Sequence, residues 1–352
     1  MKSYIPKGPP KEGAKFAWAR PEFNEDVFEK TDVSKNCKRR QAVFERFKTD
    51  EMQKGLLHYW SEQGLKKELF DNEVNGGKGK YSVFLPENLE AGKKYPLVYD
   101  SHPGMMPINA CEFDGFAHLA GKEKFIAVYP WNGGPSNDDA VSEFPRILDT
   151  MLEKGYPIDV ERVYPVGFSS GSDATGAICA AWPERIAAIS PNPGANMIKK
   201  SLFYENPDYY EKCKFISMPV ICMGGTMDGD DLFPITAEEG IENYNIWMEK
   251  IVKIRDFTPL TLERSKEIVD SDKPVYSDFG FEFHEVSSFE MEGVHWNCGL
   301  YYNESKVCVA KFILGEGIPH CMTNSHSVVI WDFIKHFRRN VITNESIYAV
   351  EI

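Results

Sequence analysis

Short apolar runs of strand length alternate with segments of helical period along most of this chain, and that alternation limits what it can fold into. Pro96–Asp100 (PLVYD), Phe125–Tyr129 (FIAVY), Arg162–Val166, Ile186–Ser190, Val220–Met223 and Val307–Leu314 are short and largely apolar, as expected of fully buried strands. Between them, Asn137-Asp138-Asp139 can cap a helix whose apolar residues are Val141, Phe144, Ile147, Leu148 and Met151. Another helix is expected from about Ser172, and a last one near Ser327–Phe337, with Val328, Val329, Trp331, Ile334 and Phe337 as its apolar residues. Strands that are apolar on both sides need cover on both faces. The expected class is therefore α/β: a mostly parallel sheet with helices on both faces.

Two regions break the rhythm. The first fifteen residues, rich in Lys, Pro and Gly, read as a loose arm. Cys37 to Leu65 has helical period through Val43, Phe44, Phe47, Met52, Leu56, Leu57 and Trp60. Asn75-Gly76-Gly77 marks a turn, and a strand should follow at Tyr81–Leu85, closed by Pro86. Residues 1–75 are thus expected to form an N-terminal arm and helical extension, and 76–352 the main domain. Within it, residues 238–300 contain a helical segment, Ile241–Val252, then a polar stretch, then Phe279, Phe281 and Phe283 in alternation. They are expected to be a cap or insertion beside the site.

The pattern that carries chemistry is Gly167-Phe168-Ser169-Ser170-Gly171, which follows an expected strand and opens an expected helix. A chain leaving a strand for a helix there must turn sharply, and the glycines remove the Cβ atoms that would collide. The turn pushes the serine hydroxyl above the sheet, and the helix N-terminus offers free N–H groups to a developing oxyanion. Small residues downstream, Ala174, Gly176, Ala177 and Ala181, let the helix lie close to the sheet. Pro165, inside the approaching strand, goes against this reading, since proline is disfavoured in a central strand.

A serine hydroxyl is not nucleophilic at neutral pH without a base. In strand–turn–helix sites of this kind the order is serine, acid, histidine. His284, His295, His320, His326 and His336 lie downstream. His320 stands in a loop between a late strand and the last helix and is favoured; His295 is its competitor. His326 is read as a cap neighbour, and His336 as lying on a solvated helix face. The acid should follow a strand, and Asp228 in the loop Gly224-Gly225-Thr226-Met227-Asp228 does so, with Asp230 and Asp231 close behind. The oxyanion donors are expected at the Ser170 N–H and at Gly104 or Met105, Pro103 having no N–H to give. Met106, Trp131 and Trp296 are apolar candidates for a substrate pocket. Each of these residue types is more often core than pocket.

The strand at Tyr81–Leu85, the strand ending near His102-Pro103-Gly104, the segment Pro157–Ala195 around the serine, and Gly225-Thr226-Met227-Asp228 with Phe233-Pro234 together resemble the feruloyl esterase and polyhydroxybutyrate depolymerase group of α/β-hydrolases. The resemblance covers roughly residues 80–235 and 305–338. It implies an α/β-hydrolase fold and a serine esterase acting on feruloyl, acetyl or short polyester-type esters, with Ser169, Asp228 and His320 as the triad. Members commonly have His-Gly without an intervening proline after the early strand, and residues 1–75 and 238–300 have no counterpart in the group. The same triad would serve a peptidase or amidase, and a non-catalytic binding protein is a third reading.

Composition narrows the partners. The formal net charge is −13. Residues 1–60 hold 13 Lys/Arg against 9 Asp/Glu, and the remainder 27 against 44. An acidic body repels phosphate backbones and anionic lipid, so no nucleic acid and no membrane is expected as partner; the same charge also serves solubility. The expected substrate is a small-molecule or oligosaccharide ester. The eight cysteines show no metal spacing, so neither cofactor nor metal is expected. No export signal is visible at the start, which implies a cytoplasmic protein, or a secreted one if the chain is trimmed. Oligomeric state is not legible.

Overall fold

The structure is a computed structural model, and it describes residues 50–74, 77–103, 111–130, 137–193, 207–228, 233–320 and 322–348. It begins with helix α1 (Asp50–Glu62) and a hairpin of β1 (Leu65–Val74) and β2 (Gly77–Pro86), paired along its whole length. Then come β3 (Tyr95–Ser101), α2 (Phe116–Glu123), β4 (Ile126–Pro130), α3 (Asn137–Glu153), β5 (Ile158–Phe168) and α4 (Ser170–Ala181). After them lie β6 (Ser190–Asn192), α5 (Pro207–Cys213) and β7 (Val220–Met227). The next part holds α6 (Glu238–Ile246), which runs on as a π-turn over Trp247–Val252, then α7 (Leu262–Val269) and α8 (Pro274–Phe279). The chain ends through β8 (Glu285–Met291), β9 (Val294–Tyr302), β10 (Cys308–Pro319), α9 (Asn324–Ile334), β11 (Phe337–Arg339) and β12 (Ser346–Tyr348).

Side-chain alternation along the central strands decides the layering. Leu97, Tyr99, Ile126 and Val128 face one core with Phe144, Ile147 and Met151 of α3 and Ile178 of α4. Val98, Ala127, Tyr129, Tyr164 and Val166 face the other, with Trp60 of α1, Phe116 of α2 and Trp331 and Ile334 of α9. Residues one apart thus bury on opposite faces, as a period of two requires. This is the α/β class expected from the apolar runs.

The sheet is made in two parts. One has the order β1-β2-β4-β3-β5-β6, the other β7-β10-β9-β8. The strands that flank the site are parallel: β4, β3, β5 and β6 in the first part, β7 and β10 in the second. Antiparallel strands lie outside them, β2 and β1 on one side, β9 and β8 on the other. A parallel bridge between Ile189 and Val220 joins the two parts.

Several expectations change. The boundary at residue 75 falls within the β1–β2 hairpin, and Trp60 is fully buried beneath it, so residues 50–74 belong to the main body. Residues 1–49 lie outside the described residues. In the segment 238–300, Phe279, Phe281 and Phe283 are buried in the core, and β9 pairs with β10. The strand expected at Ile186–Ser190 is laddered only from Ser190 to Asn192. Pro165 does sit in β5, opposite Tyr99 of β3. Val163 O accepts from Ala187 N, so Val163 and, by alternation, Pro165 turn towards β6. The ladder to β6 begins one residue later, at Val166, so the missing N–H interrupts no strand pairing.

Candidate active site

Ser169 occupies the turn between β5 and α4 with φ 57° and ψ −121°. A non-glycine residue at positive φ is strained, and such strain collects at functional sites. The packing around the turn enforces it. A Cβ on Gly167 would lie 2.2 Å from Gly171 O, and one on Gly171 only 1.8 Å from Ser101 O. The two glycines therefore let α4 start hard against the end of β3. Ser169 N donates to Asn192 O at 2.7 Å, and Ser172 N to Ser169 O at 2.8 Å, so the turn is tied on both sides. Ser169 is partly exposed while Phe168 before it is buried.

The acid and the histidine come from the other part of the sheet. β7 and β10 pair in parallel from Val220↔Ala310 to Met227↔Pro319, which brings the loops after both strands to one end. A Cβ on Gly225 would lie 1.8 Å from Ile318 O, and Gly317 N donates to Thr226 Oγ1 at 2.9 Å. The ends of the two strands are thus held close together. Asp228 and His320 project from them, and His320 Nδ1 is hydrogen-bonded to Asp228 Oδ1. That bond leaves Nε2 as the ring nitrogen not engaged with Asp228. Asp228 is 5% exposed at its side chain and His320 45%, so the carboxylate is sheltered and the imidazole open to an incoming group.

Phe168 links the two halves. Its ring packs on the His320 imidazole with centroids 4.7 Å apart at 37°. The residue preceding Ser169 therefore touches the histidine that is bonded to Asp228.

Ser170 begins α4, where the first N–H groups have no intrahelical partner. Gly104 and Met105, the expected second donors, lie outside the described residues, as do Met106, Trp131, Asp230 and Asp231. The strand leading to Gly104 ends against the serine turn, since Ser101 O and His102 O are the atoms nearest a Gly171 Cβ. His102 is buried, its Nδ1 2.7 Å from Pro103 O.

The remaining candidates fall elsewhere. Trp296 is fully buried in the core between β9 and α9, its ring edge-on to His326, so it does not line a pocket. His295 lies on β9 and is bonded to Glu290 of β8 at 2.7 Å. His326 is the N3 residue of a capping box with Thr323, where Thr323 N donates to its Nδ1 at 3.0 Å. Burial pulls His326 down to about 3, so it is a neutral acceptor. His336 falls just after α9 and packs on Tyr348. His284 accepts from Tyr302 N and is lowered by burial.

The residue that sequence reasoning missed is Asn192. It is fully buried beside the serine turn, and no motif marked it. Beneath the end of β3 lies a second unforeseen feature, a buried acidic pair: Asp100, raised by burial and then by Asp114, with Asp114 accepting from Tyr129 Oη at 3.0 Å.

No family model matches the chain. Over 145 residues it is 26% identical to feruloyl esterase D of Neurospora crassa, a match covering 35% of this chain and 48% of that relative. The chain thus spans about half the length of the curated relative it matches. Among solved structures, the feruloyl esterase module from Clostridium thermocellum complexed with sinapinate superposes with a TM-score of 0.49 at 14% identity, over 77% of this chain and 87% of that one. The acetyl xylan esterase from Aspergillus awamori gives 0.48 at 16% identity, over 76% and 99%. In the present chain Ser169 stands on a strand-to-helix turn, and Asp228 and His320 follow the later parallel strands β7 and β10.

Proposed function

We propose that this chain is a serine carboxylic-ester hydrolase working through an acyl-enzyme on Ser169. The observation that carries the reading is the strained Ser169 turn, whose Phe168 packs on an imidazole already bonded to a sheltered carboxylate. Ser169 Oγ attacks the ester carbonyl while His320 Nε2 takes its proton. Asp228 holds the ring through Nδ1 and stabilises the imidazolium that forms. The oxyanion is met by the Ser170 N–H at the start of α4 and by a second donor from Gly104 or Met105. His320 then returns the proton to the leaving alcohol. Water, activated by the same imidazole, attacks the acyl-enzyme and releases the acid, leaving Ser169 free.

The proposed substrates are feruloyl, acetyl or short polyester-type esters, small or carried on an oligosaccharide. Support comes from the likeness to proteins named feruloyl esterase and acetyl xylan esterase.

The test is hydrolysis of p-nitrophenyl acetate and methyl ferulate by the full chain and by Ser169→Ala. The variant should fold with an unchanged circular-dichroism spectrum and lose activity by at least about 10³-fold, as expected when a triad member is removed. A fluorophosphonate should label the native chain at Ser169. Undiminished turnover by Ser169→Ala would overturn the proposal.

A further inference from the structure

The candidate site is assembled across the joint between the two parts of the sheet. Ser169 follows β5 of the first part, whereas Asp228 and His320 follow β7 and β10 of the second. The spacing between serine and histidine is therefore only as well defined as the joint between β6 and β7. Among the described residues two backbone bonds cross there, both near the lower end of β7: Ile189 N donates to Pro219 O at 3.0 Å and Ile221 N to Ile189 O at 3.1 Å.

Higher up, towards the site, side chains take over. Asn192 Oδ1 accepts from Met223 N of β7 at 2.8 Å. Its Nδ2 donates to Gly167 O of β5 at 3.2 Å and to Ser190 O at 2.9 Å. Ser190 Oγ donates to Ile221 O of β7 at 2.9 Å and stands 2.9 Å from Asn192 Nδ2. The backbone of Asn192 meanwhile accepts from Ser169 N at 2.7 Å. One fully buried carboxamide thus binds the serine strand, its own strand and the acid strand at once. A backbone N–H on one side and backbone carbonyls on the other fix which way the amide faces, and a carboxamide meets both with a donor and an acceptor that carry no charge at any pH near neutral.

Resting on the reading of Ser169, Asp228 and His320 as one site, we propose that Asn192 is a positioning residue. Its carboxamide is the strut that sets the distance from nucleophile to base across the joint. It touches no substrate atom and moves no proton. It acts by holding Gly167, two residues before Ser169, at a fixed separation from Met223, five residues before Asp228. Misplacing reacting groups by about 1 Å costs roughly 10²-fold in rate, so loss of the strut should appear in the chemical step and not in binding.

The experiment uses the full chain with Asn192→Ala, Asn192→Asp and, as a control for a lost buried hydrogen bond that does not involve the Asn192 amide, Tyr164→Phe, which removes the bond from Tyr164 Oη to Phe337 O. Asn192→Ala should lower kcat on p-nitrophenyl acetate, and the rate of fluorophosphonate labelling, by about 10²-fold with KM within about threefold, while Tyr164→Phe keeps kcat. Asn192→Asp retains the shape. Its carboxyl can still donate to Gly167 O when protonated, but repels that carbonyl when ionised, and burial raises its pKa. The ratio of its kcat to that of the native chain should therefore fall by about tenfold or more as pH rises from 5.5 to 8.5. Folded Asn192→Ala with kcat within about threefold of native overturns the proposal; if that variant does not fold, a flat, near-unity ratio for Asn192→Asp does so. The two readings fail separately. Full activity in Ser169→Ala sinks the esterase site, whereas an inactive Ser169→Ala beside a fully active Asn192→Ala sinks only the strut.

Discussion

Gly171 has no room for a side chain, because the backbone at the end of β3 stands where its Cβ would be. A Cβ there would sit 1.8 Å from Ser101 O and 2.9 Å from His102 O. Those atoms are the end of β3, from which the loop with Gly104 departs. The helix that carries the Ser170 N–H can approach that loop only because Gly171 lacks a Cβ. Gly171→Ala must push the two backbones apart by more than about 1 Å to reach ordinary contact. We expect it to cost about 2–3 kcal/mol of stability, the usual scale for overpacking, and to lower esterase kcat by about 10²-fold. Urea unfolding and steady-state kinetics on one preparation check both; native kcat in the alanine variant would disconnect the elbow from the oxyanion loop. At this scale the sequence was informative where chemistry imposes a motif. The glycines and Ser169 announce themselves because a strained turn tolerates little else. Asn192 does not, because a single buried amide leaves no spacing pattern and its partners are backbone groups distant in sequence. Trp296 misled for the opposite reason: an aromatic residue near a candidate loop reads equally as pocket or core, and only packing decides.

At the scale of elements, β3, β4 and β7 were legible because they are buried along nearly their whole length and so are largely apolar. β1 was not. Its sequence, LKKELFDNEV, is mostly polar, and Lys67 within it is buried only because Glu112 accepts its ammonium at 2.7 Å. A pattern rule cannot foresee a buried lysine whose partner is supplied by another segment. The helix α9 was foreseen, and its start carries a pH dependence. His326, buried and neutral with a pKa near 3, stands in the capping box with Thr323. In the unfolded chain the same group titrates near about 6.5. Above that value neither state is protonated and the group contributes nothing. Between about 6.5 and 3 the unfolded chain takes up a proton that the folded one refuses, so stability falls as pH falls. From pH 7 to pH 5 this amounts to about 2 kcal/mol. Glutamine is an accepted N3 residue of a capping box, so His326→Gln should preserve the cap and remove this dependence. Urea unfolding at both pH values is expected to show the native chain losing about 2 kcal/mol more than the variant; equal losses would mean that His326 is not held neutral.

At the scale of the whole molecule the joint between β6 and β7 is the feature to explain, because it separates the serine from its partners and is fastened at both ends by side chains. Asn192 fastens the end nearest the site. Arg339, fully buried on β11, fastens the other: Nε donates to Ile186 O at 2.8 Å ahead of β6, Nη2 to Ser217 O at 2.9 Å ahead of β7, and Nη1 to Asn344 O at 2.7 Å. Burial lowers its pKa to about 10, so it remains charged across the neutral range. Among the described residues its hydrogen-bond partners are carbonyls and the Met218 sulfur, with no carboxylate among them. Each charged donor bond is worth about 1.5–3 kcal/mol, and burying an unpaired guanidinium costs part of that back. Arg339→Met should therefore lose about 3 kcal/mol net. Its effect on rate should differ from that of Asn192. From the start of β7 to its end is roughly 25 Å at about 3.3 Å per residue, and the ladder from Val220↔Ala310 to Met227↔Pro319 lies between the clamp and Asp228. Loosening the far end leaves that ladder intact. Folded Arg339→Met should thus keep kcat within about threefold of native under conditions where it is fully folded, while Asn192→Ala does not. Measuring kcat well below each variant's own Tm separates the two roles. A rate loss in Arg339→Met equal to that in Asn192→Ala would mean that the joint moves as one rigid body and that the spacing across it is set by the whole interface.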